Sequence, residues 1–135
     1  MTQTNNIEIA QRLLAGIGEG QAPETLSALF AEKVQFQIQG DLGVLPWIGN
    51  KIGRQAAAEF FRELRTRTEP VKFAVEDILG STDRAAIVGE LATRIKSSGK
   101  VFNTQFCIIL TISADEIVRF QMLEDSFELS RAVRA

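Results

Sequence analysis

The second half of the chain constrains the fold most strongly, because it is an almost continuous series of strand-like segments. Apolar and polar residues alternate in four runs, at residues 71–75, 85–95, 101–112 and 117–124. Short turn-forming segments, residues 97–100 and 113–116, separate the last three runs. Connections of this length join neighbouring antiparallel strands, whereas parallel strands need a longer crossover. The pattern therefore predicts an antiparallel meander.

Helices are predicted before this meander. The first begins at Thr4 or Asn5 and ends at Gly18 or Gly20. Its apolar stripe has spacings of three and four residues and consists of Ile7, Ala10, Leu14 and Ile17. A second, short helix begins at Pro23, which suits a first helical turn, and its apolar side consists of Leu26, Leu29 and Phe30.

One strand and a long loop precede the third helix. Val34, Phe36 and Ile38 alternate with glutamines, as in a strand with one buried face. Residues 40–53 contain four glycines and Pro46 around Trp47, which predicts an irregular loop. The third helix begins at Arg54 and is stopped by Pro70. A capping box at residues 125–128 predicts a short last helix.

This order of elements predicts the fold class. Helices followed by a meander indicate an α+β fold in one domain, residues 1–135, because parallel sheets need a helix between each strand pair. We expect a curved antiparallel sheet to wrap around about three helices. One end of the sheet would be closed, and the other would leave a pocket.

Composition excludes several classes of function. The net charge is −2 and the basic residues are scattered, so neither a nucleic acid nor a membrane surface is an expected partner. No apolar stretch approaches the ~18 residues of a membrane span. With one cysteine, Cys107, and no histidine, neither an internal disulfide nor a metal site is expected. We expect a cytoplasmic protein that uses no cofactor.

Several short segments resemble the NTF2-like superfamily, most closely its SnoaL-like and ketosteroid-isomerase-related members. They are Leu29-Phe30-Ala31-Glu32, Pro46-Trp47-Ile48-Gly49, Gly53-Arg54, Phe60-Phe61, Gly99-Lys100-Val101-Phe102, and Ile117-Val118-Arg119-Phe120 followed by Glu124-Asp125. The resemblance covers nearly the whole chain. It implies a conical α+β barrel, usually homodimeric, with a pocket between sheet and helices. It also implies a wide range of functions: isomerases, epoxide hydrolases, dehydratases, polyketide cyclases and non-catalytic binding modules.

Strand alternation predicts which residues line this pocket. The predicted ligand site is mostly apolar and consists of Phe36, Ile38, Trp47, Leu91, Thr93, Thr104, Phe106, Phe120 and Met122. Such a lining with few polar groups suits a small hydrophobic or aromatic ligand. Trp47 has two interpretations, since it either stacks on the ligand at the pocket mouth or covers the open end of the core.

The catalytic residues of known family members are not matched. Relatives that open epoxides carry an arginine and an aspartate where this chain has Gly89 and Leu91, and a further aspartate at the position of Met122. Steroid isomerases use an aspartate base where this chain has Ile38, together with a tyrosine, and this chain has no tyrosine. Dehydratases rely on histidine, which is also absent. None of these mechanisms is therefore expected.

Two carboxylates are the candidate catalytic residues. Glu124 lies at the end of a strand on the predicted pocket face, where burial would raise its pKa for acid–base chemistry. In the other interpretation, Glu124 points to solvent or supports the last helix. Asp41 is either a general base at the pocket mouth or an ordinary turn residue beside Gly43. An enzyme of this kind would catalyse a cofactor-free proton transfer or cyclisation next to a carbonyl.

The outer face of the sheet predicts a homodimer. Its strands carry Val101, Cys107, Ile109 and Leu123 among Asn103, Gln105, Arg119 and Gln121, a mixture too apolar for a fully wet face. Cys107 has no neighbouring base, so a catalytic thiol is not expected. The alternative function is a non-catalytic protein-interaction module whose sheet binds another protein.

Overall fold

The elements follow the predicted order of helices and then strands. In the computed structural model, which describes residues 3–134, the first half contains α1 (Gln3–Gly18), α2 (Pro23–Ser27), β1 (Phe30–Ile38), β2 (Gly49–Ile52) and α3 (Arg54–Arg67). The second half contains β3 (Thr68–Gly80), β4 (Arg84–Ile95), β5 (Val101–Ser113), β6 (Glu116–Leu123) and α4 (Ser126–Arg134). The α+β class is confirmed.

The six strands form one sheet in the order β2-β1-β6-β5-β4-β3. Four of the neighbouring pairs are antiparallel, including the whole predicted meander from β3 to β6. The prediction of a fully antiparallel sheet was wrong for β1 and β6, which pair in parallel. Short turns fix the direction of the meander strands, but β1 and β6 are far apart in sequence, so no short turn fixes their relative direction.

Two of the predicted helices differ in detail. On α1 the buried side chains are Asn6, Ile9, Ala10 and Leu13, whereas Ile7, Leu14 and Ile17 are only partly buried. The stripe is rotated because α1 packs on β3 and β4, where Asn6 Nδ2 donates a hydrogen bond to Ser81 O at 2.8 Å. The second helix ends at Ser27, so the assignment of Leu29 and Phe30 to it was wrong; Leu29 lies between the two elements and Phe30 begins β1.

The predicted loop at residues 40–53 contains a short regular element. Residues Gly49–Ile52 form β2, which pairs antiparallel with β1 at one edge of the sheet. This strand was missed because it is mostly exposed and has no buried face to produce apolar alternation. Trp47 is buried and its ring meets the Phe60 ring edge-on at 5.8 Å between centroids, so the loop closes that side of the core.

Irregularities in two strands also change which residues are buried. Ile112 pairs with Ile117 and Thr111 with Arg119, which leaves Val118 as an extra residue in β6. Ile117 is therefore buried in the core, whereas Val118, which strict alternation with Phe120 would place there, is only partly buried. Pro70 lies within β3 rather than only terminating the helix, and it is tolerated there because β3 is an edge strand.

Candidate functional site

An open groove of about 420 Å³ lies on the sheet. Strands β3 to β6 and the residue after β6 form it, and its lining residues are Glu76, Val88, Gly89, Gln105, Phe106, Cys107, Leu123 and Glu124. The volume is within the range of small-molecule sites. The groove combines apolar side chains with two carboxylates and one amide, and within residues 3–134 no cationic side chain lines it.

The register of the sheet places the groove on the outer face. Val88, Cys107 and Leu123 are successive cross-strand partners on β4, β5 and β6, so their side chains share one face. Their sequence neighbours Ile87 and Ile108 are buried in the core and point to the opposite face. The groove therefore opens on the side of the sheet away from the core, although two of its lining residues, Gly89 and Phe106, are buried and have the parity of the core face.

A bulge in β3 brings Glu76 to the groove. Val75 pairs with Gly89 and Asp77 pairs with Val88, so Glu76 has no partner of its own on β4. Bulges of this kind bend the strand and redirect a side chain. Gly89 permits the bend, because a Cβ added there would lie 2.1 Å from the carbonyl oxygen of Ala74. The shape of the groove thus depends on the lack of a side chain at residue 89.

Glu124 is held in place by the start of the last helix. The backbone N–H of Asp125 donates a hydrogen bond to Thr104 Oγ1 at 2.9 Å. The Asp125 carboxylate accepts one from the backbone N–H of Glu128 at 3.0 Å, which confirms the predicted helix cap. The reciprocal half of the capping box was wrong, since the Glu128 carboxylate contacts Arg131 Nη1 at 2.9 Å. The residue next to Glu124 is therefore fixed on two sides.

The electrostatics of Glu124 suit proton transfer. Burial raises the pKa of this carboxyl group from 4.5 to about 7. Among residues 3–134 its carboxylate has no hydrogen bond or ion pair that would hold it in the charged form. A group that titrates near neutral pH can both accept and return a proton at physiological pH.

The predicted pocket residues are divided between the groove and the core. Phe106 and Glu124 line the groove. Phe36 and Phe120 stack at 4.4 Å between ring centroids, and Ile38 and Leu91 are buried in the same apolar cluster. Since these side chains pack on one another, an enclosed apolar pocket among them stays a prediction.

Three other residues of the predicted pocket do not line the groove: Thr93, Thr104 and Met122. The Thr104 hydroxyl donates to Gln105 O at 2.7 Å and accepts from Asp125, so both of its hydrogen-bonding roles are used within the chain. Thr104 therefore acts as a positioning residue for Glu124. Thr93 and Met122 are half-buried on β4 and β6, and neither lines the groove.

Sequence reasoning missed most of the groove. The sequence predicts an outer-face position for three lining residues, Gln105, Cys107 and Leu123. It predicts a dimer surface there, not a groove. Glu76 was missed because its place depends on the β3 bulge. The available signal was Gly89, an isolated glycine within an apolar strand, which is typical of a bulge or a close backbone approach.

Asp41 joins the loop after β1 to α4. Its carboxylate accepts hydrogen bonds from Ser130 Oγ at 2.6 Å and Arg134 Nη2 at 3.0 Å. The hydrogen bond from Ser130 and then Arg134 hold the pKa of Asp41 below its usual value. It also accepts a turn hydrogen bond from Val44 N at its carbonyl oxygen, at 3.2 Å. A carboxylate held in this way is a poor base, and Asp41 does not line the groove.

Replacing Asp41 with asparagine should lower Tm slightly at pH 7, because Arg134 and Ser130 lose their anionic partner. Because the pKa of Asp41 is lower in the folded state than in the unfolded state, its ionisation stabilises the fold at pH values above the unfolded pKa of 3.8. This contribution is lost as pH falls through the folded pKa. The difference between Asp41→Asn and wild type should therefore shrink in acid. Thermal unfolding at several pH values measures this difference in Tm. Asp115→Asn, in the exposed β5–β6 turn, is the control, and an equal effect there would contradict the role of Asp41.

Two features are absent from the described part of the chain. Within residues 3–134, no group of three or more His, Cys, Asp or Glu side chains is placed to hold a metal ion. None of the helices there has both the length and the apolar character needed to span a bilayer.

Fold and groove together define a class of protein: an NTF2-like α+β domain with a titratable carboxylate in a surface groove. A family model described as a SnoaL-like domain matches residues 10–120, most of the chain. The chain belongs to the SnoaL-like domain family. A search of curated proteins gave no match.

Several solved structures share the fold. An NTF2-like protein from Burkholderia xenovorans LB400 gives a TM-score of 0.87 at 22% identity, over 98% of this chain and 98% of that chain. An NTF2-like protein from Burkholderia thailandensis E264 gives a TM-score of 0.83 at 18% identity, over 100% of this chain and 99% of that chain. A protein from Rhodopseudomonas palustris described as a candidate isomerase gives a TM-score of 0.80 at 16% identity, over 99% of this chain and 98% of that chain. At these identities the likeness shows the fold alone.

Proposed function

We propose that the protein binds a small, mostly apolar molecule with a carbonyl group in the outer-face groove and transfers a proton next to that carbonyl. Val88 and Leu123 supply apolar contact area, and Gln105 supplies an amide that can donate a hydrogen bond. The observation that carries the proposal is the place of Glu124, a partly buried carboxylate that lines this groove and has no ion pair with any other described residue. The protein from Rhodopseudomonas palustris described as a candidate isomerase is consistent with such chemistry.

The proposed step needs no cofactor. Ionised Glu124 takes a proton from the carbon adjacent to the carbonyl, and the electrons of that C–H bond move to the carbonyl oxygen to form an enolate. The Gln105 amide would donate a hydrogen bond to the enolate oxygen. Protonated Glu124 then returns the proton to the same carbon or to a conjugated one, which completes an exchange or an isomerisation.

Hydrogen–deuterium exchange of a small ketone tests this proposal without knowledge of the natural substrate. With phenylacetone in D₂O, wild-type protein should accelerate exchange of the methylene protons above buffer, as followed by NMR. Glu124→Gln should remove at least about 90% of this acceleration, as expected for loss of a general base. The rate should rise with pH and level off once Glu124 is ionised.

Glu32→Gln is the matched control, because Glu32 is exposed on β1 and lies outside the groove. It should retain the wild-type rate. Acceleration that survives in Glu124→Gln would contradict the proposed base. Phenylacetone that binds in the groove without exchanging would favour the alternative, a non-catalytic binding module.

A further inference from the structure

The groove carries negative charge at two places and positive charge at none. Within residues 3–134 its charged lining residues are Glu76 and Glu124, and Gln105 adds a neutral amide. A cleft lined by one sign of charge attracts ligands of the opposite sign, because its walls concentrate the electric field. The lining therefore favours a ligand that carries a positive group over a neutral or anionic ligand of the same size.

Glu76 is the lining carboxylate that the proposed proton transfer does not use. It is the extra residue of the β3 bulge, and it is exposed. Among residues 3–134 its side chain has no hydrogen bond and no ion pair. The adjacent Asp77 has no ion pair there either, although its carboxylate accepts a hydrogen bond from the backbone N–H of Ile78 at 2.8 Å. A carboxylate that a bulge brings to a groove without a cationic partner is available to a ligand.

Two basic side chains of the same sheet already have partners. Lys72 Nζ lies 3.0 Å from the carboxylate of Glu90, which is the cross-strand neighbour of Gln105. Arg119 Nε donates a hydrogen bond to Gln37 Oε1 at 2.9 Å. Neither Lys72 nor Arg119 lines the groove. A cationic ligand at Glu76 would therefore bind without displacing an ion pair of the chain.

The two carboxylates lie at opposite ends of an apolar floor. Val88, Cys107 and Leu123 are successive partners across β4, β5 and β6. Glu76 lies on β3 beside Val88, and Glu124 follows Leu123. Strands are ~4.8 Å apart, so the backbones of β3 and β6 are separated by ~14 Å. In the described part of the chain no third His, Cys, Asp or Glu joins the two carboxylates in a metal site. Their separation suits an extended organic molecule.

We infer that the ligand of this groove is an organic cation whose positive group lies at Glu76 and whose carbonyl lies at Glu124. The inference rests on the proposed function, because Glu124 and Gln105 hold the reacting end of the ligand. An apolar segment about as long as a substituted benzene ring joins the two ends and lies on Val88 and Leu123. Glu76 is then a residue that determines specificity and takes no part in proton transfer.

Three ketones of similar size and different charge test this inference. They are phenylacetones whose para substituent is trimethylammoniomethyl, neopentyl or sulfomethyl, so they are cationic, neutral and anionic. The quaternary ammonium group does not titrate and cannot form an imine with a ketone. At pH 8 in D₂O, after correction for exchange in buffer, kcat/KM for the cationic ketone should be on the order of fivefold above the neutral one. The anionic ketone should be lower by a similar factor, since one charge contact at an open site has a modest effect.

Substitutions of Glu76 test whether this residue is the source of the preference. Glu76→Gln should bring the ratio of the cationic to the neutral rate close to one, and Glu76→Lys should make the anionic ketone the best substrate. Ratios within one variant cancel any general loss of activity. Glu69→Gln is the matched control, because Glu69 is an exposed glutamate on the same strand outside the groove. It should keep the wild-type ratio. High salt should lower the wild-type ratio by screening the charges.

Binding of benzyltrimethylammonium, which has no ketone, separates the inference from the proposed function. In an NMR titration, Glu76→Gln should bind it at least threefold more weakly than wild type and Glu69→Gln do. Equal rates for the three ketones, or a ratio that Glu76→Gln leaves unchanged, would overturn the inference and leave the proton transfer standing. Binding that depends on Glu76 without exchange of any ketone would overturn the proposed chemistry and leave the cation site. Absence of both binding and exchange would overturn both.

Discussion

Replacing Gly89 with alanine should destabilise the protein by roughly 3 kcal/mol or more, which lowers Tm by ~10 °C for a domain of this size. A Cβ at this position would lie 2.1 Å from the carbonyl oxygen of Ala74 and 3.1 Å from Cζ of Phe106. The first contact is with backbone, which cannot move away as a side-chain end can. The β3–β4 pairing would have to open at the bulge that places Glu76.

Gly18→Ala is the matched control for this prediction. Gly18 ends α1, and a Cβ there would have no heavy atom within 4 Å. This substitution should be neutral or slightly stabilising, because alanine favours helix and restricts the unfolded chain. Thermal and urea unfolding would measure both variants. A Gly89→Ala protein with wild-type stability would mean that the strands adjust and that the bulge does not depend on glycine.

The fold was largely readable from the sequence, because strand alternation and turns are local signals. Residues 85–95 and 101–112 match β4 and β5 within one residue at each end. Two of the errors have a common cause, since they depend on contacts between distant segments. The parallel pairing of β1 with β6 depends on packing of the whole sheet, and so does the rotation of the buried stripe on α1.

The site was less readable than the fold. Glu124 was identified as a candidate because it is a carboxylate at a strand end, which is a local feature. The faces of its neighbours were inferred from strict alternation, and a bulge changes this relation for Glu76. Alternation separates the two faces of a strand, but it does not show which face carries a cavity. The aromatic side chains expected to line a cavity pack on each other instead, as Phe36 and Phe120 do.

The core between the sheet and the helices is stabilised by aromatic packing. Phe30 is fully buried and its ring lies 6.1–6.2 Å from those of Phe36, Phe61 and Phe120. Close-packed rings resist rearrangement, so a ligand would enter this region only if several side chains moved together. The outer groove requires no such change. This difference in cost is the reason the proposed site is placed on the outer face.

Replacing Glu124 with glutamine should stabilise the protein at pH 8 and have little effect at pH 4. Burial raises the pKa of this carboxyl from 4.5 to about 7, so the fold favours its neutral form. Below the unfolded pKa of 4.5, Glu124 is protonated in both the folded and the unfolded state. As pH rises from there through the folded pKa, the wild type loses stability. Above pH 7 the difference should reach roughly 3 kcal/mol, or ~10 °C in Tm.

Thermal unfolding of both proteins between pH 4 and pH 8 measures this difference. Glu32→Gln is the control, because Glu32 is an exposed glutamate on β1. Its Tm should differ from that of the wild type by the same amount at every pH. A neutral amide removes the energetic penalty of ionisation and also removes the base. Glu124→Gln should therefore be more stable than its parent above pH 7 and inactive in ketone exchange. Stability that is independent of pH between 4 and 8 would show that Glu124 is ionised without penalty, and the argument for it as a base would fail.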